Sequence, residues 1–109
     1  MLLRNTTSSA PISTIDFIRW LTQKTTQARI FWERRPHMVT ATLRNCLLVQ
    51  FVTSVTTAGE EAWRLFIICD ADGLELYRVT DIHAANDPAP VAPAVDSLFL
   101  VAISLCHVH

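Results

Sequence analysis

The sequence predicts an α+β fold: an N-terminal helix, an antiparallel meander of four to five strands and a C-terminal helix, with both helices packed on one face of the sheet. Three observations carry that expectation. A helix-start signature stands at Ser13–Phe17, apolar residues alternate with polar ones between His37 and Val79, and helix-spaced apolar residues follow a Pro/Ala-rich stretch over 86–93. The chain has 109 residues, 50% hydrophobic and 17% charged, with a formal net charge of -1. That composition excludes a disordered chain and leaves room for one core. The expected organisation is a disordered arm over 1–12 and a single domain over 13–109.

The first helix is predicted to start near Thr14 and end around Thr26. Ser13 is followed three residues later by Asp16, a variant of the capping box, and Ile12 and Phe17 have the spacing of a hydrophobic staple. Phe17, Ile18, Leu21 and Thr25 share one helical face, while Asp16, Arg19, Gln23 and Lys24 supply a polar one. From Ala28 to Trp32 the pattern turns extended, with Ile30 and Trp32 on one side and Arg29 and Phe31 on the other. A turn is expected at Glu33-Arg34-Arg35-Pro36.

His37 to Leu43 alternates as a half-buried strand, with Val39, Ala41 and Leu43 facing the core. Arg44-Asn45 would close a hairpin into a strand over Cys46 to Val55, and Thr56–Glu60 would be a loop. The apolar run Ala62 to Cys69 suits a central strand. Asp70-Ala71-Asp72-Gly73 predicts a turn, because an Asx side chain bonds nearby amides and glycine accepts a positive φ. Leu74 to Val79 supplies the last strand of the meander. The prolines at 88, 90 and 93 make 86–93 a stiff linker. Val95 to Cys106 fits a helix through Leu98, Ala102 and Leu105, and a strand through Val101 and Ile103; the helix is preferred.

Charge divides along the chain. Residues 1–58 carry seven basic side chains against two acidic ones, and residues 59–109 carry two against eight. The two halves would pair with each other inside the fold or across an interface. Alternatively, Arg29, Arg34, Arg35 and Arg44, with Trp20 near the edge of the helix's apolar face, form a candidate binding surface of the residue types that contact phosphate and stack on bases. Trp32 and Trp63 are expected in the core.

Other chemistry has little support. Walker loop, dinucleotide fingerprint, nucleophile elbow and H-E-x-x-H are missing from the sequence, so no cofactor and no catalytic residue are expected. Asp70-x-Asp72-Gly73 opens like a calcium loop, yet a hairpin turn explains it better. Cys106, His107 and His109 offer a thiol and two imidazoles for Zn²⁺, with His37 and His83 elsewhere, but no second closely spaced pair accompanies them. His37 or His83 with Cys46 or Cys69 would be the base and nucleophile of a small enzyme. Three cysteines without an apolar signal segment read as buried thiols of a cytoplasmic protein. The most apolar stretch, Leu98 to Cys106, is too short to span a membrane.

The stretch Phe17-Ile-Arg-Trp-Leu-Thr-Gln-Lys-Thr25, followed by Ala28-Arg-Ile-Phe-Trp32, resembles a loose group of small uncharacterised bacterial and phage domains over residues 13–79. Where that group often has glycine this chain has Ala28, and Met38 or Val39 stands where an aromatic residue is frequent. The resemblance implies the same helix, meander, helix order and no particular activity. The expected function is therefore a non-enzymatic interaction or regulatory module that docks on a protein or on itself, with nucleic-acid binding and a small enzyme as alternatives. Leu48 and Val52, apolar positions on the sheet face opposite the helices, are expected at an interface.

Overall fold

The computed structural model describes residues 2–4, 11–44, 46–82 and 91–108, with 2–4, 11–12 and 107–108 as backbone alone. Helix α1 spans Thr14–Thr26, as the capping signature predicts. Ser13 is its N-cap, extended at φ -65° and ψ 152°, and its hydroxyl accepts the Asp16 amide at 3.1 Å. The Ile12 half of the staple lies outside the described side chains. The helix closes in a Schellman arrangement: the Ala28 amide donates to the Thr25 carbonyl at 3.0 Å and the Arg29 amide to the Lys24 carbonyl at 2.9 Å. Ala28 takes the left-handed φ of 58° that this motif requires. An alanine there costs backbone energy that a glycine would not.

The strands are β1 (Leu2–Arg4), β2 (Pro11–Ser13), β3 (Glu33–Arg35), β4 (Met38–Thr42), β5 (Leu48–Val55), β6 (Glu61–Cys69), β7 (Glu75–Thr80) and β8 (His107–Val108), and α2 covers Val91–Leu105. Strands β3 to β7 form the expected antiparallel meander, and β8 adds to its edge, giving the order β7-β6-β5-β4-β3-β8. The fold is α+β.

Several local expectations are corrected. Ala28 to Trp32 does not join the sheet; β3 instead occupies Glu33–Arg35, where a turn was expected. The turn falls two residues later at Pro36-His37, with Arg35 opposite Met38 and His37 at φ 60°. Proline at the first central position and a left-handed second residue are the signature of a type II turn. The Arg44 turn ends at Cys46, φ 65°, and is fixed by amide bonds from Cys46 to Leu43 and from Leu43 to Leu47; Asn45 lies outside the described residues. Helix α2 begins at Val91, so the last part of the expected linker is helical, and Pro93 falls in the first turn, where its missing amide has no intrahelical partner to lose. Residues 83–90 lie outside the described set. Within the expected disordered arm, β1 pairs antiparallel with β2. The C-terminal residues form β8, parallel to β3, a pairing with no local signal.

One sheet face and both helices enclose the core. Cross-strand rows Val39, Phe51, Phe66, Val79 and Ala41, Val49, Ile68, Tyr77 face the helices. Against them pack Phe17, Ile18 and Leu21 of α1 and Val95, Leu98, Phe99 and Ala102 of α2. Phe51 is the centre of an aromatic cluster, with ring centroids at 4.9 Å to Phe66, 5.1 Å to Phe99 and 5.6 Å to Trp32. Trp63 is also buried, and its indole N–H donates to Asp96 Oδ1 at 2.7 Å, tying β6 to α2. The opposite face carries Met38, Leu48, Val52, Leu65 and Ile67, all half-buried. Among the described residues no helix is long and apolar enough to cross a membrane.

Candidate functional site

A groove of about 560 Å³ opens between α1, the segment after it and the β4–β5 turn. Helix α1 contributes Phe17, Trp20 and Lys24, the following segment Arg29, Ile30 and Phe31, and the end of β4 with its turn Thr42, Leu43 and Arg44. The helix presents its three residues together because positions i, i+3 and i+7 lie on one side. Trp20 stacks on Phe17 with centroids 5.8 Å apart and planes at 15°, and Lys24 Nζ sits 5.9 Å from the Trp20 ring centroid.

The second wall is held by a buried hydrogen-bond relay. Trp32 Nε1 donates to Thr25 Oγ1 at 3.0 Å, and that hydroxyl donates to the Leu21 carbonyl at 2.7 Å. Both side chains are buried, so residues 29–31 are pinned against the helix on the side from which Arg29 and Phe31 project outward. Trp20 is 43% exposed and Phe31 69% exposed.

The groove is cationic. The ion pairs among the described residues are Arg34–Glu61, Arg35–Glu33 at 3.2 Å, Arg64–Asp81 at 2.8 Å and Arg78–Glu75; Lys24, Arg29 and Arg44 belong to none of them. Among the described residues, no carboxylate, imidazole or thiol lines the groove.

The structure thus brings Trp20, Arg29 and Arg44 together and separates them from Arg34 and Arg35. Arg34 lies on β3 and reaches the Glu61 carboxylate, which also accepts from Thr53 Oγ1 at 3.2 Å. The hydrogen bond to Glu61 holds the Arg34 guanidinium above its ordinary range, against the opposing effect of burial. Arg35 pairs with its own strand neighbour Glu33. Pairing between the basic and acidic halves of the chain is therefore confined, among the described residues, to Arg34–Glu61. Sequence reasoning passed over Lys24 and Phe31 as site residues. Their signals were the i, i+4 spacing of Lys24 from Trp20 and the alternation that places Phe31 opposite the buried Trp32.

The other candidates stay apart. His37 and Cys46 stand at opposite ends of β4, a five-residue strand rising roughly 3.3 Å per residue, and Cys69 pairs with Leu48 at the Cys46 end. They are too distant for base and nucleophile. Burial pushes the Cys69 thiol up, with Glu75 and Asp70 adding to the effect. Asp70 is a turn residue, its Oδ1 accepting the amides of Asp72 and Leu74, each at 2.9 Å, with Gly73 at φ 84°. Cys106 donates to the Ile103 carbonyl at 3.2 Å; the His107 side chain, His109 and His83 lie outside the described residues. No trio of potential metal ligands converges among the described residues. A smaller groove of about 390 Å³ between the helices, lined by Arg19, Thr22, Gln23, Pro93, Ala94 and Ser97, contains a single cation.

Comparison of the chain with family models, with curated proteins and with solved structures finds no match.

Proposed function

We propose that the protein is a non-enzymatic binding module that receives an anionic macromolecular segment in the groove between α1 and the β4–β5 turn. The observation that carries this reading is the convergence of Lys24, Arg29 and Arg44, none ion-paired among the described residues, on a concave surface that also exposes Trp20 and Phe31. Three like charges without counter-charge repel one another, and an anionic ligand relieves that repulsion while the aromatic rings add contact area. The lining suits binding rather than catalysis, since among the described residues it holds no carboxylate, imidazole or thiol that would act on Lys24 or on a substrate as general base or nucleophile. Such a module acts as an accessory or regulatory domain for whatever partner supplies the anion.

Fluorescence anisotropy with two labelled polyanions, an oligo-glutamate and an oligothymidylate, tests the reading. At least one binds at low salt, with affinity falling as salt rises, and the double variant Arg29→Ala/Arg44→Ala loses that binding while keeping its unfolding midpoint. Failure of both polymers to bind at low salt overturns the proposal, as does undiminished binding by the double variant.

A further inference from the structure

We infer that the anion is single-stranded nucleic acid, with an unstacked base lying on the exposed aromatic surface of Trp20 and Phe31 and the flanking phosphates on Lys24, Arg29 and Arg44; this rests on the reading of the groove as an anion site. The argument turns on what the groove offers beyond charge. An acidic peptide satisfies the three cations but brings only carboxylates, which do not stack on the exposed area of Trp20 and Phe31. A nucleotide carries a planar apolar face and a negative charge a few bonds apart, matching aromatic and cationic side chains that line one depression. Sequence-tolerant stacking of this kind needs bases whose faces are free. In a duplex those faces are covered by neighbouring bases, so the duplex meets the cations and not the rings.

Size agrees with a short segment. At about 560 Å³ the groove falls in the range of small-ligand sites, roughly 300–1,000 Å³, and holds a base with its neighbouring phosphates rather than a long track. Arg34 and Arg35 do not extend the site, being ion-paired on β3, and the chain as a whole is slightly acidic. Binding is thus local, and its salt dependence should count only the groove cations.

The full chain is titrated with labelled oligothymidylate, with the same sequence as a duplex, and with an oligo-glutamate of equal charge. The single strand is expected to bind more tightly than the other two, with a slope of log K against log salt of about -2, near -0.7 for each of three phosphates. Arg29→Ala and Arg44→Ala each reduce that slope by about 0.7. Phe31→Ala weakens single-strand binding at least about fivefold, the low end for loss of one stacked base, without shifting the unfolding midpoint, and Arg78→Ala changes nothing. Because Trp32 and Trp63 are buried, quenching of indole emission by the oligonucleotide reports on Trp20 and disappears in Trp20→Phe. Equal or tighter binding of the oligo-glutamate or the duplex overturns the inference and leaves the anion groove standing, as does an unaffected Phe31→Ala. Absence of binding by all three polymers overturns both.

Discussion

Arg29 and Arg34 are five residues apart, and their surroundings give them opposite tasks. Arg34 is spent within the fold: it crosses to Glu61 on β6, and Glu61 in turn accepts from Thr53 on β5, so the guanidinium helps fasten β3 to strands beyond its neighbour β4. Arg29 follows the left-handed Ala28 at the end of α1 and faces a groove with Lys24, Arg44 and exposed rings. The same side chain is thus a structural tie in one place and, in the other, a groove cation outside the ion pairs of the described residues. What separates them is the presence of a carboxylate within reach, a fact about three-dimensional neighbours rather than about the arginine.

The largest perturbation of this contrast is at Trp32, which lies between the two regions and supports both. Trp32→Ala should cost about 3–5 kcal/mol, the range for deleting a buried aromatic side chain, read as a shifted urea midpoint; a loss below about 1 kcal/mol would show that the Thr25–Trp32 bond does not anchor the groove wall. Next comes Arg34→Ala, which leaves Glu61 without its cation and should cost about 1–2 kcal/mol, reduced from a fully buried pair by its partial exposure, with polyanion affinity unchanged. Because the Arg34 pKa is raised in the folded state, its contribution is complete at neutral pH and is lost only as strongly alkaline pH passes through the folded value. Arg29→Ala should do the reverse, weakening polyanion binding at an unchanged unfolding midpoint; a swap of the two phenotypes would erase the distinction. The smallest effect is at Ala28. Ala28→Gly should stabilise by about 0.5–1 kcal/mol, since relief of the left-handed strain exceeds the added entropy of the unfolded chain, and a loss of stability would mean that the Schellman turn is not formed as described.

Much of the architecture was legible because it depends on neighbours along the chain. The α1 boundaries follow from Ser13 and Asp16, which meet through one turn of backbone, and the strand faces follow from strict alternation in Met38–Thr42 and Leu48–Val55. The Asp70–Gly73 turn is similarly local. The misplacement of β3 has a specific cause: Pro36-His37 suits a turn better than Glu33–Pro36, but the extended look of Ala28 to Trp32 absorbed the strand signal. Those residues alternate because one side packs on α1 and the core, and none of them is part of a strand. The start of α2 was drawn too late, since a proline cluster argues against helix until Pro93 is seen to occupy a first turn.

The candidate site divides along the same line. Sequence by itself determined the fold class, the cap and face of α1, the buried faces of β4 and β5 and the partial exposure of Trp20, all set by periodicities that repeat within a few residues. Tertiary structure alone decided that Lys24, Arg29, Phe31 and Arg44 share one groove, that Arg34 leaves the cationic set for Glu61, and that β8 pairs with β3. These outcomes depend on which distant segments are brought within a few ångströms. Contact and Coulomb energies act over that distance, and the order of residues along the chain does not specify it.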